Sequence, residues 1–249
     1  GLVLFCMHLP VLVLVAFSFN ASKFSVNWTG FTLHWYQRLL EREDILAGLR
    51  ASLIVGLSAT LIATACGTLI ALALARHRFR GRTLYEGLVF VPIVTPEIVT
   101  GISLLILFVF LRVPLGLVTI TIAHVAFSIP FVVVVVLSRL AGMDETLEEA
   151  AMTLGADEIT AFWKITVPLL WPGIISAALL TFILSFDDFV ITSFVAGSGS
   201  STLPLIIYSM VRRNVEPSIN AISTVIVIGT SIMLYVAEKL TREESRASS

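Results

Sequence analysis

Thr146-Leu147-Glu148-Glu149-Ala150-Ala151-Met152-Thr153-Leu154-Gly155-Ala156-Asp157 is an acidic stretch set between two long apolar runs, at 115–137 and 169–196. Thr146 and Glu149 form a capping-box pair, each able to satisfy a free amide at a helix start. Leu147, Ala150, Ala151 and Leu154 repeat at helical spacing and make one narrow apolar stripe with the acids around it. Gly155 suits the left-handed turn that ends a helix, and Asp157 can cap a second helix running through Phe162 and Trp163 toward Pro168. The connection at 138–167 therefore reads as a short helix, a bend and a second helix. Periodicity alone leaves two roles open: a surface hairpin packed on its own chain, or a small-residue face that lies in another protein's groove.

The flanking runs are long enough to cross a bilayer, which takes about 20 mostly apolar residues because hydrocarbon cannot satisfy exposed backbone amides. Six stretches qualify, at 1–19, 49–75, 84–111, 115–137, 169–196 and 219–237, giving an all-α integral membrane protein with a single domain over 1–249. Gly1 opens the first stretch with no initiator Met and no basic flank, so the true start is expected upstream. A cleaved signal peptide would read similarly, but its basic n-region and A-x-A site are absent. Composition agrees with a membrane chain: 57% of residues are hydrophobic and 13% charged, which excludes an ordinary soluble enzyme. The 16 Lys and Arg against 17 Asp and Glu leave a net charge of -1, with no basic field for nucleic acid. Cys6 and Cys66 sit inside apolar runs as small hydrophobes, and neither reads as a metal ligand, disulfide partner or nucleophile.

Parity puts the connections after spans two, four and six on one side, where positive residues should collect. Arg76, Arg78, Arg80 and Arg82 crowd the second connection, and Lys239, Arg242 and Arg246 follow the sixth span, so both termini are expected in the cytoplasm. The acidic connection falls on the same side, yet carries Asp144, Glu145, Glu148, Glu149, Asp157 and Glu158. Acids weigh little in topology, so they point to a partner.

Glu149-Ala150-Ala151, then Gly155, Ile165 and Pro168, resembles the EAA loop of ABC importer permeases, E-A-A-x3-G-x9-I-x-L-P, with Val167 in place of the Leu. The resemblance implies the transmembrane domain of a type I ABC importer: six helices, with this coupling hairpin between the fourth and fifth. It also implies that Glu149, Ala150, Ala151, Leu154 and Gly155 dock into a groove on an ATP-binding subunit dimer. No G-x-x-x-x-G-K-[ST] motif occurs in the chain, so ATP and Mg belong to that separate subunit. This chain is expected to bind no cofactor and to be no enzyme.

An ionisable side chain at the bilayer centre costs about 2.5 to 3.5 kcal/mol, so each one in a span needs a reason. Glu97 follows Val91-Pro92-Ile93-Val94-Thr95-Pro96, where two prolines remove amide donors and break the helix. Asp187 and Asp188 lie in Leu184-Ser185-Phe186-Asp187-Asp188-Phe189. Counted along straight helices, Glu97 is about 20 Å and Asp187 about 27 Å from the cytoplasmic start of its span, both in the outer half. Three carboxylates at similar depth suit a cation arriving from outside, with Phe186 covering its carbon chain. The competing reading makes Asp187 and Asp188 solvated or capping residues near the outer interface. His124 reads as structural, with a Ser or backbone partner.

Ser18-Phe19-Asn20-Ala21-Ser22-Lys23, Trp28-Thr29-Gly30-Phe31-Thr32, Trp35-Tyr36, Phe79-Arg80-Gly81 and Leu203-Pro204 resemble the spermidine/putrescine permeases of the PotC type, as do Leu184-Ser185-Phe186-Asp187-Asp188 and Ser193-Phe194-Val195. The likeness runs from 18 to about 227. It implies a polyamine permease of the bacterial inner membrane, acting in a heterodimer with a homologous second permease, a pair of ATPase subunits and a periplasmic polyamine-binding protein. Glu97 stands where this family commonly has an Asp after Pro. Opine and other organic-cation permeases share parts of the pattern, so another organic cation, an opine or an amino acid stays open as substrate.

Two other classes fit less well. An intramembrane aspartyl protease needs paired carboxylates in motifs such as Y-D and G-x-G-D, and neither occurs. A secondary transporter would also use buried acids, but it predicts repeated halves and leaves the acidic hairpin without a purpose.

Overall fold

A computed structural model describes residues 2–22, 27–77, 79–143, 146–213 and 217–247. Lys23, Arg78, Asp144 and Glu145 lie outside the described residues. Among the described residues the regular elements are all helices, with an isolated bridge between Asn20 and Phe31. In order the helices are α1 (Leu2–Phe17), α2 (His34–Glu41), α3 (Glu43–Arg76), α4 (Arg82–Val94), α5 (Glu97–Phe110) and α6 (Leu117–Ala141). They continue as α7 (Thr146–Thr153), α8 (Glu158–Ala161), α9 (Val167–Asp187), α10 (Val190–Val195), α11 (Leu203–Arg213) and α12 (Pro217–Ala247), with a π-helical turn at Phe162–Thr166 joining α8 to α9.

Among the described residues four helical stretches are long and apolar enough to cross a membrane: Glu43–Arg76, Leu117–Ala141, Glu158–Asp187 and Pro217–Tyr235. The third stretch read from hydropathy, 84–111, is two helices, α4 and α5, bent by 111° at the break between them, and they count as a fifth span only together. Pro96 causes the break: it has no amide hydrogen and drives the preceding residue out of the helical region. Thr95 is accordingly extended, at φ -82° and ψ 129°, and its hydroxyl bonds back to the Val91 carbonyl at 2.8 Å. The first stretch, 1–19, forms the 16-residue α1, about 24 Å long and shorter than a bilayer core of about 30 Å. The fifth, 169–196, ends its long helix at Asp187 and resumes as α10.

Lipid is as apolar as leucine, so helices in a membrane associate through close packing of small residues. α3 shows the device: Gly48, Ser52, Gly56, Ala59, Ala63, Gly67 and Ala71 are buried at spacings of three and four, while Leu53, Leu57, Leu61 and Leu69 point outward. A Cβ on Gly67 would fall 2.6 Å from Val132 of α6, and one on Gly56 would fall 3.2 Å from Phe182 of α9. α3, α6 and α9 thus form the central bundle. At the end away from the hairpin, Thr119 of α6 donates to the Val195 carbonyl at 2.8 Å, and the Leu203 amide donates to Ser52 Oγ at 2.9 Å. Buried Asn20 organises the α1–α2 connection by donating to the Asn27 carbonyl at 2.8 Å and accepting from the Thr29 amide at 3.0 Å.

Candidate functional site

The hairpin follows its sequence closely. Gly155 stands at φ +95°, its amide bonds the Met152 carbonyl at 3.0 Å, and the Ala156 amide bonds the Ala151 carbonyl at 3.0 Å. These two bonds make the left-handed helix ending that glycine favours. Asp157 then caps α8, accepting from the Thr160 amide at 3.1 Å. Bonding from the Thr160 side chain, and then from its amide, holds this carboxyl below its ordinary value. α7 begins at Thr146, directly after residues that lie outside the described ones, so the capping box expected of Thr146 and Glu149 sits at the edge of what the structure describes.

The apolar stripe is not packed away. Leu154 is 89% exposed and Leu147 45%; Glu149, Ala150 and Gly155 are exposed, and Ala151 is half-buried. A hairpin that used this face to pack on its own chain would have covered it. Leu147, Glu148, Glu149 and Met152 border a cavity of about 720 Å³ between the hairpin and the ends of α3, α6 and α9. Across it Glu148 pairs with Arg76, the last residue of α3. In the sequence Glu148 belongs only to an acidic face and Arg76 only to the charge bias. A basic residue ending a helix beside an acidic loop was the available signal.

The membrane acids separate into different settings. Asp188 is engaged within the chain: Oδ1 accepts from the Ile191 amide at 3.2 Å, and Oδ2 accepts from the Thr192 amide at 2.7 Å and the Thr192 hydroxyl at 2.6 Å. His124, 2% exposed, sets Nε2 3.1 Å from the same Oδ2 and Nδ1 2.7 Å from Ser185 Oγ. The serine partner matches the structural reading of His124; the aspartate partner was not foreseen. Asp188 therefore caps α10 and ties α6, α9 and α10 together.

Asp187, the last residue of α9, and Glu97, the first of α5, are exposed. Each stands at a break between helices. The two breaks are connected through α5 and α10, where a Cβ on Gly101 would come within 2.6 Å of Phe194. The 111° bend removes the straight-helix depth count for Glu97. Phe186 stacks on Phe182 with centroids 5.6 Å apart and borders an apolar cavity of about 500 Å³ with Tyr36. Among the described residues no three His, Cys, Asp or Glu side chains are grouped to hold a metal.

Residues 63–237 match the family described as "Binding-protein-dependent transport system inner membrane component". Over 242 residues the chain is 40% identical to the spermidine/putrescine transport system permease protein PotC of Escherichia coli K12, covering 97% of this chain and 92% of that protein. It is 42% identical over 238 residues to the putrescine transport system permease protein PotI of the same organism, covering 93% and 85%. Its fold is similar to a chain of a bacterial ABC transporter involved in the import of the acidic polysaccharide alginate, with a TM-score of 0.75 at 18% identity over 96% of this chain and 92% of that one. An amino acid ABC transporter gives 0.66 at 20% identity over 86% and 100%. At those identities the solved structures speak for the fold alone, the helical membrane domain of an ABC importer.

Proposed function

The chain belongs to the binding-protein-dependent transport permeases, the membrane components of ABC importers, and from that premise we propose that it carries polyamines, spermidine or putrescine, across the bacterial cytoplasmic membrane. The observation that carries this reading is its likeness to two polyamine permeases along nearly its whole length. The exposed carboxylates of Asp187 and Glu97, with Phe186 close by in sequence to Asp187, supply suitable chemistry. A protonated polyamine is a string of ammonium charges separated by methylenes, so carboxylates can pair with the charges while rings cover the carbon. Release into the cell requires that such pairing be weak. Asp188, already bonded on both oxygens, acts by holding the α9–α10 break beside Asp187.

The hairpin faces the cytoplasm in this reading, as do both termini. Its exposed face, Glu149, Ala150, Ala151, Leu154 and Gly155, docks on a separate ATP-binding subunit that holds ATP and Mg. A second, homologous permease completes the pore, and a periplasmic binding protein delivers the substrate. The test is uptake of labelled spermidine and putrescine by matched amounts of assembled complex in proteoliposomes. Asp187→Asn and Glu97→Gln should each preserve assembly and lower uptake, and the double variant should lose more. Unchanged uptake in the double variant would remove these acids from the path. Uptake of an opine or amino acid with no competition from polyamines would replace the substrate.

A further inference from the structure

Arg76 ends α3 on the hairpin side. Its guanidinium pairs with Glu148 of α7, donates to Thr166 Oγ1 at 3.1 Å and stands 5.5 Å from the centroid of the Phe162 ring. One planar group thereby touches the docking helix and both ends of the π-helical turn that leads into α9. Thr166 is 1% exposed, whereas the side chains of Arg76 and Glu148 retain 37% and 27% exposure. An ion pair so open to solvent contributes little to stability. What it does provide is a connection.

The hairpin is joined through the backbone to α6 and α9, but α3 reaches it through side chains. α3 has 34 residues and runs about 51 Å. Near its far end Ser52 accepts from the Leu203 amide, and a Cβ on Gly48 would collide with Ile206. These contacts tie the far end of α3 to α11, so a rigid displacement of α3 at Arg76 would reach α11. Arginine suits the position because its fork can serve two acceptors while its face lies over an aromatic ring, which a lysine ammonium cannot reproduce.

We propose that Arg76 is a positioning residue that passes movement of α7 into α3, giving the docked hairpin a second route to the opposite end of the bundle besides α9. This rests on the hairpin being the ATPase dock. Glu149, exposed on α7, belongs to the dock; Glu148, beside it, belongs to the link. The test uses the full complex with its own ATP-binding subunit and binding protein in proteoliposomes, measuring substrate taken up per ATP hydrolysed.

Arg76→Gln and Glu148→Gln should each retain the ATP-binding subunit yet lower that ratio roughly two- to thirtyfold, the range typical of coupling residues. The double variant should be no worse than either single one, and Arg76→Lys should fall between Arg76→Gln and the parent. An unchanged ratio in both single variants overturns the inference, and so does loss of the ATP-binding subunit from Arg76→Gln, which would make the pair part of the dock. Ala151→Arg is the separate control on the dock, since a buried unpaired charge cannot seat in a close groove. If Ala151→Arg still holds the ATP-binding subunit, the docking reading fails and the inference falls with it.

Discussion

Gly155 combines two facts that separate backbone from packing: its φ is +95°, and a Cβ there would meet nothing within 4 Å. Gly155→Val therefore costs about 1 to 2 kcal/mol through the left-handed backbone alone, tilting α8 relative to α7 without a clash. Uptake and substrate-stimulated ATP hydrolysis should both fall in the reconstituted complex; if neither moves, the bend is not part of the coupling. Asp157 gives a pH test on the same turn. Its folded pKa lies below the unfolded value, so its cap is fully effective above the ordinary carboxylate range and fades as pH falls through the lowered folded value. Protection of the Thr160 amide against hydrogen exchange should stay level from neutral pH to about 4 and weaken below it. In Asp157→Ala the protection should be low throughout, and protection equal to the parent's would show that the cap is idle.

Among the helices, the small-residue face of α3 decides which neighbours can come close. Gly67 lies where a Cβ would be 2.6 Å from Val132 and 3.2 Å from the Ile129 carbonyl, so Gly67→Val must push α3 away from α6. Overpacking of this kind costs about 1 to 3 kcal/mol. Gly229 on α12 has open space instead, and Gly229→Ala should be neutral or slightly stabilising through helix propensity. Thermal unfolding of the two variants in one detergent should separate them, with Gly67→Val lower. Equal midpoints would mean that α3 and α6 do not rely on that approach. The α4–α5 break follows the opposite logic, since Pro96 ends a helix by chemistry and needs no neighbour to do so.

For the whole molecule, the proposed function makes the bare helix face at one end of the bundle the seat of the ATP-binding subunit. Leu154, 89% exposed beside the half-buried Ala151, is the sharpest reporter. A Leu154→Cys variant should react with a membrane-impermeant thiol reagent from the cytoplasmic side when the permease is alone, and should be shielded once the ATP-binding subunit is bound. Labelling from the outside would reverse the orientation, and labelling undiminished by the ATP-binding subunit would place the dock elsewhere. Cys6 and Cys66 are exposed, so both must first be replaced.

The membrane class and the hairpin were legible in the sequence because both depend on residues close together along it. Apolar length decides whether a segment tolerates hydrocarbon, and the Gly155 ending and Asp157 cap close within a few residues. Pro96 likewise announced a broken span, although the 111° angle did not follow from it. Three-dimensional packing decided the rest. Asp187 and Asp188 look equivalent as neighbours, yet Asp188 is taken by His124, 64 residues away, and Asp187 is left exposed. Glu148 and Glu149 look equivalent too, until Arg76, 72 residues distant, engages the first. Hydropathy and spacing describe a segment's fit to its solvent and its own backbone. Which of two adjacent carboxylates stays free depends on the cations and donors that other helices bring to it, and those are fixed only when the helices pack.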